Sequence, residues 1–332
     1  MVYLITGGAG FIGSHLAEAL VARGDQVILL DDLSTGSVEN IRQLRSSPHV
    51  RCVFESMMTR SLLAEVVDES DVIFHLAAAV GVRRIIESPV RTIETNVKGT
   101  ELLLECAAKK RKLVFVASTS EVYGKNNQVP FHEGDDIVLG ATAYSRWSYA
   151  ASKLLDEFLA LAYWKEKKLP VVIGRFFNTV GPRQTGRYGM VLPSFVSQAL
   201  EQAPITVFGS GQQSRCFGYV EDVIEATLRL IANDRAVGEV VNIGNDEEVT
   251  IEELAYRVKA KTQSPSPICF VSYDRAYEPG FEDMPRRVPS LEKLERLTGY
   301  RPTTPLDVII DRVAAYFSGK KKLVAVAASS VG

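Results

Sequence analysis

A tyrosine and a lysine stand four residues apart in the run Tyr149–Lys153, which reads YAASK. If the run is helical, the two side chains share one face, because residues i and i+4 are neighbours on a helix surface. A lysine ammonium beside a phenol favours the phenolate and lowers the pKa of the tyrosine from its ordinary value of about 10. Tyr149 could then act as a general base toward a hydroxyl group, although the same spacing also occurs by chance in many helices.

A second group of chemically capable side chains lies in the run 118–124, which reads STSEVYG. It follows a strand-like segment, and doubly wound α/β proteins bind their ligands at the carboxyl ends of strands. The hydroxyls of Thr119 and Ser120 could hydrogen-bond the same substrate oxygen as Tyr149. Glu121 could be a general acid or base, and it could equally be a paired carboxylate at the surface.

Glycines recur at positions 7, 10 and 13 in the run GGAGFIG, which follows a strand-like segment and opens a helix. Gly7 permits a tight turn, Gly10 lets the backbone approach a pyrophosphate, and Gly13 allows close packing of helix on strand. The N–H groups of the first helical turn, at Phe11 and Ile12, would then meet the phosphates. Strand, glycines and helix together predict a dinucleotide site.

An acidic residue ends the next strand-like segment, where Asp31 follows the run QVILLD. In dinucleotide-binding folds an acid about 20 residues past the glycines accepts hydrogen bonds from the ribose hydroxyls of the adenosine. A carboxylate there repels the 2′-phosphate of NADP. The sequence therefore favours NAD as the cofactor.

Short runs rich in Val and Ile alternate with helical patterns in the first half of the chain. The predicted strands are residues 2–6, 26–31, 50–54, 71–75, 112–117 and 170–175. The predicted helices are residues 11–23, 60–67, 90–109, 147–168, 191–202, 220–232, 250–262 and 290–297. This alternation predicts an α/β fold, a Rossmann-type doubly wound parallel sheet with helices on both faces.

Frequent Pro and Gly after about residue 176 predict a smaller C-terminal α/β lobe that binds the substrate. We therefore divide the chain into an NAD-binding domain over 1–175 and a substrate lobe over 176–318. Helix 220–232 is expected to pack back on the first domain. The segment 319–332 is basic and then apolar, and we expect a disordered tail.

The composition of the chain argues against several classes of protein, among them nucleic-acid-binding, disulfide-rich and membrane proteins. The 332 residues are 46% hydrophobic and 23% charged with a net charge of −2, and no basic patch points to nucleic acid. The four cysteines are widely spaced, so neither a disulfide framework nor a metal site is expected. No signal peptide and no apolar stretch long enough for a membrane span are found in the sequence. These features predict a cytoplasmic protein without metal or membrane partners.

Further runs accompany the motifs above in a fixed order along nearly the whole chain: His75–Ala78, Asn96–Thr100, Arg175–Asn178, Gly181–Arg183, Ile205–Gly209 and Arg215–Asp222. Together they resemble the extended short-chain dehydrogenase/reductase family, in its nucleotide-sugar epimerase, dehydratase and decarboxylase branch. The resemblance implies that Tyr149 is the base, that Lys153 holds the nicotinamide ribose and tunes Tyr149, and that Thr119 binds the 4-hydroxyl of the sugar. It also places Leu76 and Ala77 in the cofactor site.

The resemblance further implies a site for a UDP-sugar substrate. Asn178 and Arg215 would bind the nucleotide diphosphate, and Arg187 could bind the carboxylate of a uronate. Arg83 would contact the substrate from the loop after the fourth strand. The residues expected near the uracil base are Val191, Leu192 and the segment 205–207 with Val207.

The reactions of this family start alike, with loss of the O4 proton to Tyr149 and of a C4 hydride to NAD. In a uronate decarboxylase the carboxylate is β to the new 4-ketone, so carbon dioxide can leave. The run Thr119–Glu121 resembles UDP-glucuronate decarboxylases, with Ser120 and Glu121 at the carboxylate, and the run 277–290 strengthens that resemblance. The favoured function is therefore UDP-glucuronate decarboxylation.

Three other functions stay open. The loop 80–83 resembles that of UDP-glucose and UDP-glucuronate 4-epimerases, in which the ketone is reduced from its other face. A 4,6-dehydratase would usually carry an Asp-Glu pair in place of Ser120 and Glu121, and an NAD(H)-sensing binding module would usually lack the tyrosine and lysine. The family also implies a homodimer formed through helices 90–109 and 147–168.

Overall fold

Runs of Val, Ile and Leu form the central strands, because β-branched side chains suit a sheet that is covered on both faces. The computed structural model describes residues 1–79, 88–186, 190–273 and 284–329, with side chains as far as residue 320. The strands are β1 (Val2–Thr6), β2 (Gln26–Leu30), β3 (Val50–Val53), β4 (Val72–His75), β5 (Leu113–Thr119), β6 (Val171–Phe176), β7 (Thr179–Val180), β8 (Ile205–Phe208), β9 (Ser214–Cys216), β10 (Gly218–Tyr219), β11 (Val240–Ile243), β12 (Glu248–Thr250), β13 (Ile268–Val271) and β14 (Arg286–Arg287).

The main sheet has seven strands in the order β11-β6-β5-β4-β1-β2-β3, and every pairing within it is parallel. The chain leaves β1 toward β2 and β3 on one side and later returns to β4 on the other. The strand order therefore reverses between β1 and β4, and ligands of such sheets bind outside this point. The predicted doubly wound parallel sheet is confirmed.

Helices cover both faces of the sheet, and two separate apolar clusters fill the layers between. The helices are α1 (Phe11–Ala22), α2 (Arg60–Glu69), α3 (Pro89–Ala108), α4 (Ser148–Lys167), α5 (Val191–Leu200), α6 (Val220–Ile231), α7 (Ile251–Lys261), α8 (Glu292–Thr298) and α9 (Leu306–Ser329). The predicted strands and helices of the sequence are found with boundaries shifted by a residue or two. Among the described helices, none is both long and apolar enough to cross a bilayer.

The chain returns to the main sheet after residue 176. Strand β11 pairs with β6, placing Val240 beside Ile173 and Ile243 beside Phe176. Helix α6 packs against α1. Strand β11 was not among the predicted strands. Part of segment 176–318 therefore belongs to the main sheet.

The second lobe is built from small sheets and the last helices. Strand β9 pairs antiparallel with β12 and parallel with β14, and β8 pairs with β13. Helix α9 packs against α5 and α7 and extends to Ser329, into the segment that we expected to be a disordered tail. Because β9 and β14 meet here, the lobe brings Arg215 beside Arg287 in register.

Candidate active site

The glycine turn between β1 and α1 is closed tightly by the backbone. Gly7 has a φ of +72° and its N–H donates to the carbonyl of Leu30 over 2.8 Å. A Cβ at Gly13 would overlap the carbonyl oxygen of Gly7 and lie 2.9 Å from the Cα of Gly8. The sequence prediction that these glycines allow a tight turn and close helix packing agrees with this geometry.

The amino end of α1 has the features of a phosphate-binding helix terminus. Gly10 is its N-cap residue, and no side chain caps the helix there. The first helical residues, Phe11 and Ile12, therefore present their N–H groups without a competing side-chain acceptor, and the helix dipole favours an anion. These features fit the pyrophosphate of a dinucleotide.

Asp31 lies where β2 ends and is buried beside this turn. Its carboxylate accepts hydrogen bonds from the N–H of Ala9 over 2.9 Å and from the N–H of Leu33 over 2.8 Å. Burial raises the pKa of Asp31, whereas these backbone N–H groups lower it. A Cβ at Gly36 would come within 2.8 Å of the Asp31 Oδ1 atom, so Gly36 keeps this space open, a role that the sequence analysis missed.

The segment after β4 lies next to the glycine turn. The N–H of Leu76 donates to the carbonyl of Thr6, and the N–H of Ala77 donates to the Thr6 hydroxyl over 3.2 Å. A Cβ at Gly7 would lie 2.9 Å from the nitrogen of Ala77. Leu76 and Ala77 therefore form one wall of the predicted cofactor site.

Tyr149 lies near the start of α4 and is 7% exposed. The Thr119 hydroxyl at the end of β5 hydrogen-bonds its phenol. Burial, followed by the charges of Glu121 and Asp156, raises the pKa of Tyr149, and the bond to Thr119 opposes that rise. The structure therefore brings the predicted base and hydroxyl partner together.

Lys153 is one turn further along α4 and is 2% exposed. Its Nζ atom lies 2.7 Å from the Oδ2 atom of Asp156, which is also fully buried. The sequence analysis expected the lysine to favour the Tyr149 phenolate. In the structure Asp156 forms an ion pair with this lysine. The spacing of Tyr149 and Lys153 alone does not predict that pair.

Glu121 is held between two guanidiniums. Its Oε2 atom lies 2.5 Å from Arg146 and its Oε1 atom lies 2.9 Å from Arg287. Burial alone would raise the pKa of Glu121, but Arg146, Arg287 and the more distant Arg215 outweigh it and lower the pKa to about 2. Of the two alternatives left open by the sequence, a paired carboxylate fits this geometry, but the expected surface position is wrong because Glu121 is buried.

Ser120 stands beside this ion-pair cluster and is 1% exposed. A guanidinium N–H of Arg287 lies 3.4 Å from its hydroxyl oxygen. Arg146 and Arg287 were not among the predicted site residues, and both come from segments far from Glu121 in sequence. The RR pair within the run 277–290 was the available signal for Arg287.

Two predicted substrate residues meet at β9. Arg215 is buried and donates to the carbonyls of Ser214 and Met284, both over 2.8 Å. Asn178 donates from its side chain to the carbonyl of Cys216 over 3.0 Å. Asn178 and Arg215 thus lie on neighbouring backbone segments near the Glu121 cluster.

The residues expected near the uracil base of the substrate occupy different environments. Leu192 and Val207 are fully buried in the apolar core, so their side chains serve packing and only their backbone could reach a ligand. Val191 is half-buried at the first position of α5. Arg83, Arg187 and the first part of the run 277–290 lie outside the described residues.

Comparison with known proteins identifies the family. A family model described as GDP-mannose 4,6 dehydratase matches residues 4–313. The UDP-N-acetyl-alpha-D-glucosaminuronate decarboxylase of Bacillus cytotoxicus is 43% identical over 300 residues, covering 90% of this chain and 92% of that protein. UDP-glucuronic acid decarboxylase 2 of Arabidopsis thaliana is 37% identical over 91% of this chain, which spans 65% of that longer protein.

A solved structure gives the same answer at the level of the fold. The UDP-glucuronic acid 4-epimerase from Bacillus cereus, in complex with UDP-glucuronic acid and NAD, is similar with a TM-score of 0.86 and 28% identity. The match covers 96% of this chain and 99% of that chain. The chain therefore belongs to the extended short-chain dehydrogenase/reductase family, among the enzymes that decarboxylate or epimerise nucleotide sugars.

Proposed function

We propose that this protein is an NAD-dependent decarboxylase of a UDP-linked uronic acid, with UDP-glucuronate as its substrate. The observation that carries the proposal is the buried cluster of Ser120, Glu121, Arg146 and Arg287 beside the Tyr149 phenol. Fixed charges beside the base suit a sugar that carries a carboxylate, and a neutral UDP-hexose would not need them. The names of the curated relatives support the same reaction.

The charge balance of the cluster suits an anionic sugar. Three guanidiniums, those of Arg146, Arg215 and Arg287, act on the single carboxylate of Glu121. These groups are buried, and electrostatic attraction is stronger in a buried setting than in water. A sugar carboxylate entering beside Ser120 would interact with the guanidiniums in that setting.

Tyr149 has the placement required of the base for the O4 proton. Thr119 would hold the 4-hydroxyl by hydrogen bonding, as it now holds the phenol of Tyr149. NAD, when bound, would supply the hydride acceptor for C4. The resulting 4-ketone is β to the carboxylate, so the electrons of the bond to carbon dioxide pass into an enolate when that bond breaks.

Glu121 is assigned a positioning role in this scheme. A carboxyl with a pKa of about 2 stays ionised throughout the neutral range, so it has no proton to donate as a general acid. Its two oxygens instead orient one guanidinium each, those of Arg146 and Arg287. Arg287 in turn reaches the hydroxyl of Ser120.

The cofactor assignment rests on Asp31 and the glycine turn. The buried carboxylate of Asp31 lies beside the turn that would hold the pyrophosphate, and it would repel a 2′-phosphate. The similar Bacillus cereus epimerase is bound to NAD. Gly10, Phe11 and Ile12 would provide the backbone at the phosphates.

A homodimer is the proposed assembly. Apolar side chains stand exposed on the outer faces of α3 and α4, including Val90, Ile93, Leu155 and Phe158, the last with 64% of its surface exposed. The two helices pack against each other, so these side chains belong to one surface. A second copy of the chain would bury it by forming a bundle of four helices.

The proposed location is the cytoplasm. The four cysteines are unbonded, and Cys106 and Cys216 are buried as thiols. Burial raises the pKa of both thiols, which keeps them protonated and unreactive. Free buried thiols are typical of proteins in a reducing compartment.

The test is an assay of the purified protein with NAD and UDP-glucuronate, read by NMR and by release of carbon dioxide. Carbon dioxide together with a UDP-pentose or UDP-4-keto-pentose supports the decarboxylase, and a Tyr149→Phe variant should lose this activity by at least about a hundredfold. UDP-galacturonate with its carboxylate retained would instead establish a 4-epimerase. Turnover of the N-acetylated uronate alone would assign the substrate of the Bacillus cytotoxicus relative.

A further inference from the structure

A chain of buried polar groups runs from the glycine turn into α4. The Thr6 hydroxyl lies 2.8 Å from Nδ1 of His75, and Nε2 of His75 lies 3.0 Å from the Thr100 hydroxyl. Thr100 hydrogen-bonds Asp156, which holds Lys153. Burial and then the charge of Lys153 lower the pKa of His75 to about 3, so His75 is a neutral link in this chain.

The spacing along α4 makes Asp156 part of the catalytic face. Tyr149, Lys153 and Asp156 stand at positions i, i+4 and i+7, which form one stripe on a helix. Lys153 is therefore one helical turn from Tyr149, and its ammonium is bound to the Asp156 carboxylate. All three side chains are buried, so their charges act on one another with little screening by water.

We propose that Asp156 is a positioning residue, which holds the Lys153 ammonium and thereby sets the pH range in which Tyr149 can act as a base. Asp156 binds the Lys153 ammonium over 2.7 Å and also receives a hydrogen bond from the Thr100 hydroxyl. A buried carboxylate is costly unless it is paired, and its ionic partner here is Lys153. Its benefit would lie in the control of Lys153, on which the proposed function relies.

The direction of the effect follows from the charges around Tyr149. Glu121 and Asp156 favour the neutral phenol, whereas Arg287 favours the phenolate. Around Asp156 stand Lys153, Glu157 and the Thr100 hydroxyl, and His75 faces Lys153. Removal of the Asp156 charge leaves the lysine charge unshared, so the phenol should ionise at lower pH.

The experiment follows ionisation of Tyr149 directly in the NAD-loaded protein. Tyrosine carries a carbon-13 label at Cζ, and the Tyr149 signal is assigned by its loss in Tyr149→Phe. In Asp156→Asn we expect the midpoint of this signal to fall by about one pH unit relative to wild type. Glu225→Gln, which breaks an exposed pair with Arg229, is the matched control and should not shift it.

A second variant covers the case in which Asp156→Asn does not fold. Thr100→Val removes the hydroxyl bond that stabilises the charged form of Asp156, and it should shift the Tyr149 midpoint in the same direction by a smaller amount. A Tyr149 signal that titrates as in wild type in both variants, or that does not titrate in them, would overturn the proposal. This readout needs no sugar, so it separates failure of this inference from failure of the proposed decarboxylase.

Discussion

At the scale of single residues, the charge state of Glu121 is the feature that most restricts the chemistry. Two guanidiniums hold it as a carboxylate, with a pKa of about 2. A residue in such a state can orient neighbours but cannot deliver protons near neutral pH. Proton transfer at the sugar O4 is therefore the role that we propose for Tyr149.

Replacement of Glu121 tests this ion-pair cluster through stability. In the folded protein its pKa lies below the ordinary value of 4.5, so the stabilisation is present above that value and is lost as pH falls toward 2. Glu121→Gln should therefore lower the free energy of unfolding by about 3 kcal/mol at neutral pH, since it removes the buried negative charge that Arg146 and Arg287 share. Denaturant unfolding at neutral pH and near pH 3 measures this difference, which should shrink in acid. An equal loss at both pH values would contradict it.

At the scale of elements, the turn between β1 and α1 positions the cofactor site through backbone contact alone. Gly13 approaches Gly7 and Gly8 so closely that no side chain fits between helix and strand. The position of the helix terminus, and of any phosphate bound there, depends on this contact. A small shift of α1 would also change the distance to Asp31.

Substitution of Gly13 tests this element. Gly13→Ala should displace the start of α1 and weaken NAD binding by at least about tenfold, because the added methyl meets backbone that cannot rotate away. Calorimetric titration with NAD measures the change. Gly134→Ala is the control, since a Cβ at Gly134 meets nothing within 4 Å. Unaltered NAD affinity in Gly13→Ala would show that the turn can relax.

Sequence patterns predicted the main elements well because their signals are local. Periodic apolar runs gave the sheet and its helices, and the fold class is confirmed. Strand β11 was missed because it has only four residues and lies in a glycine-interrupted segment, where the hydrophobic pattern is too short to predict a strand. Arg146, Arg287 and Asp156 were missed as site residues because their roles depend on contacts between distant segments or on a partner three residues away.

At the scale of the whole molecule, the exposed apolar surface of α3 and α4 predicts the assembly. Phe158→Glu places a charge in the proposed dimer interface and should convert the dimer to a monomer. Sedimentation or light scattering measures the mass of the particle. Val308→Glu alters a similarly apolar, partly exposed residue of α9 and should leave the mass unchanged. A wild-type protein that is monomeric at micromolar concentration would contradict the proposed dimer.

The return of the chain to the main sheet ties the two lobes together. Strand β11 lies against β6, and the buried side chain of Asn242 on β11 accepts from the Tyr123 hydroxyl over 2.8 Å. Tyr123 closes the short helix that carries Ser120 and Glu121. A chimera that takes everything after residue 176 from a relative would therefore also replace an edge strand beneath the catalytic loop. Grafts meant to change sugar preference should therefore retain α6 and β11 from the parent protein. The segments that could be exchanged alternate along the chain with segments of the main sheet.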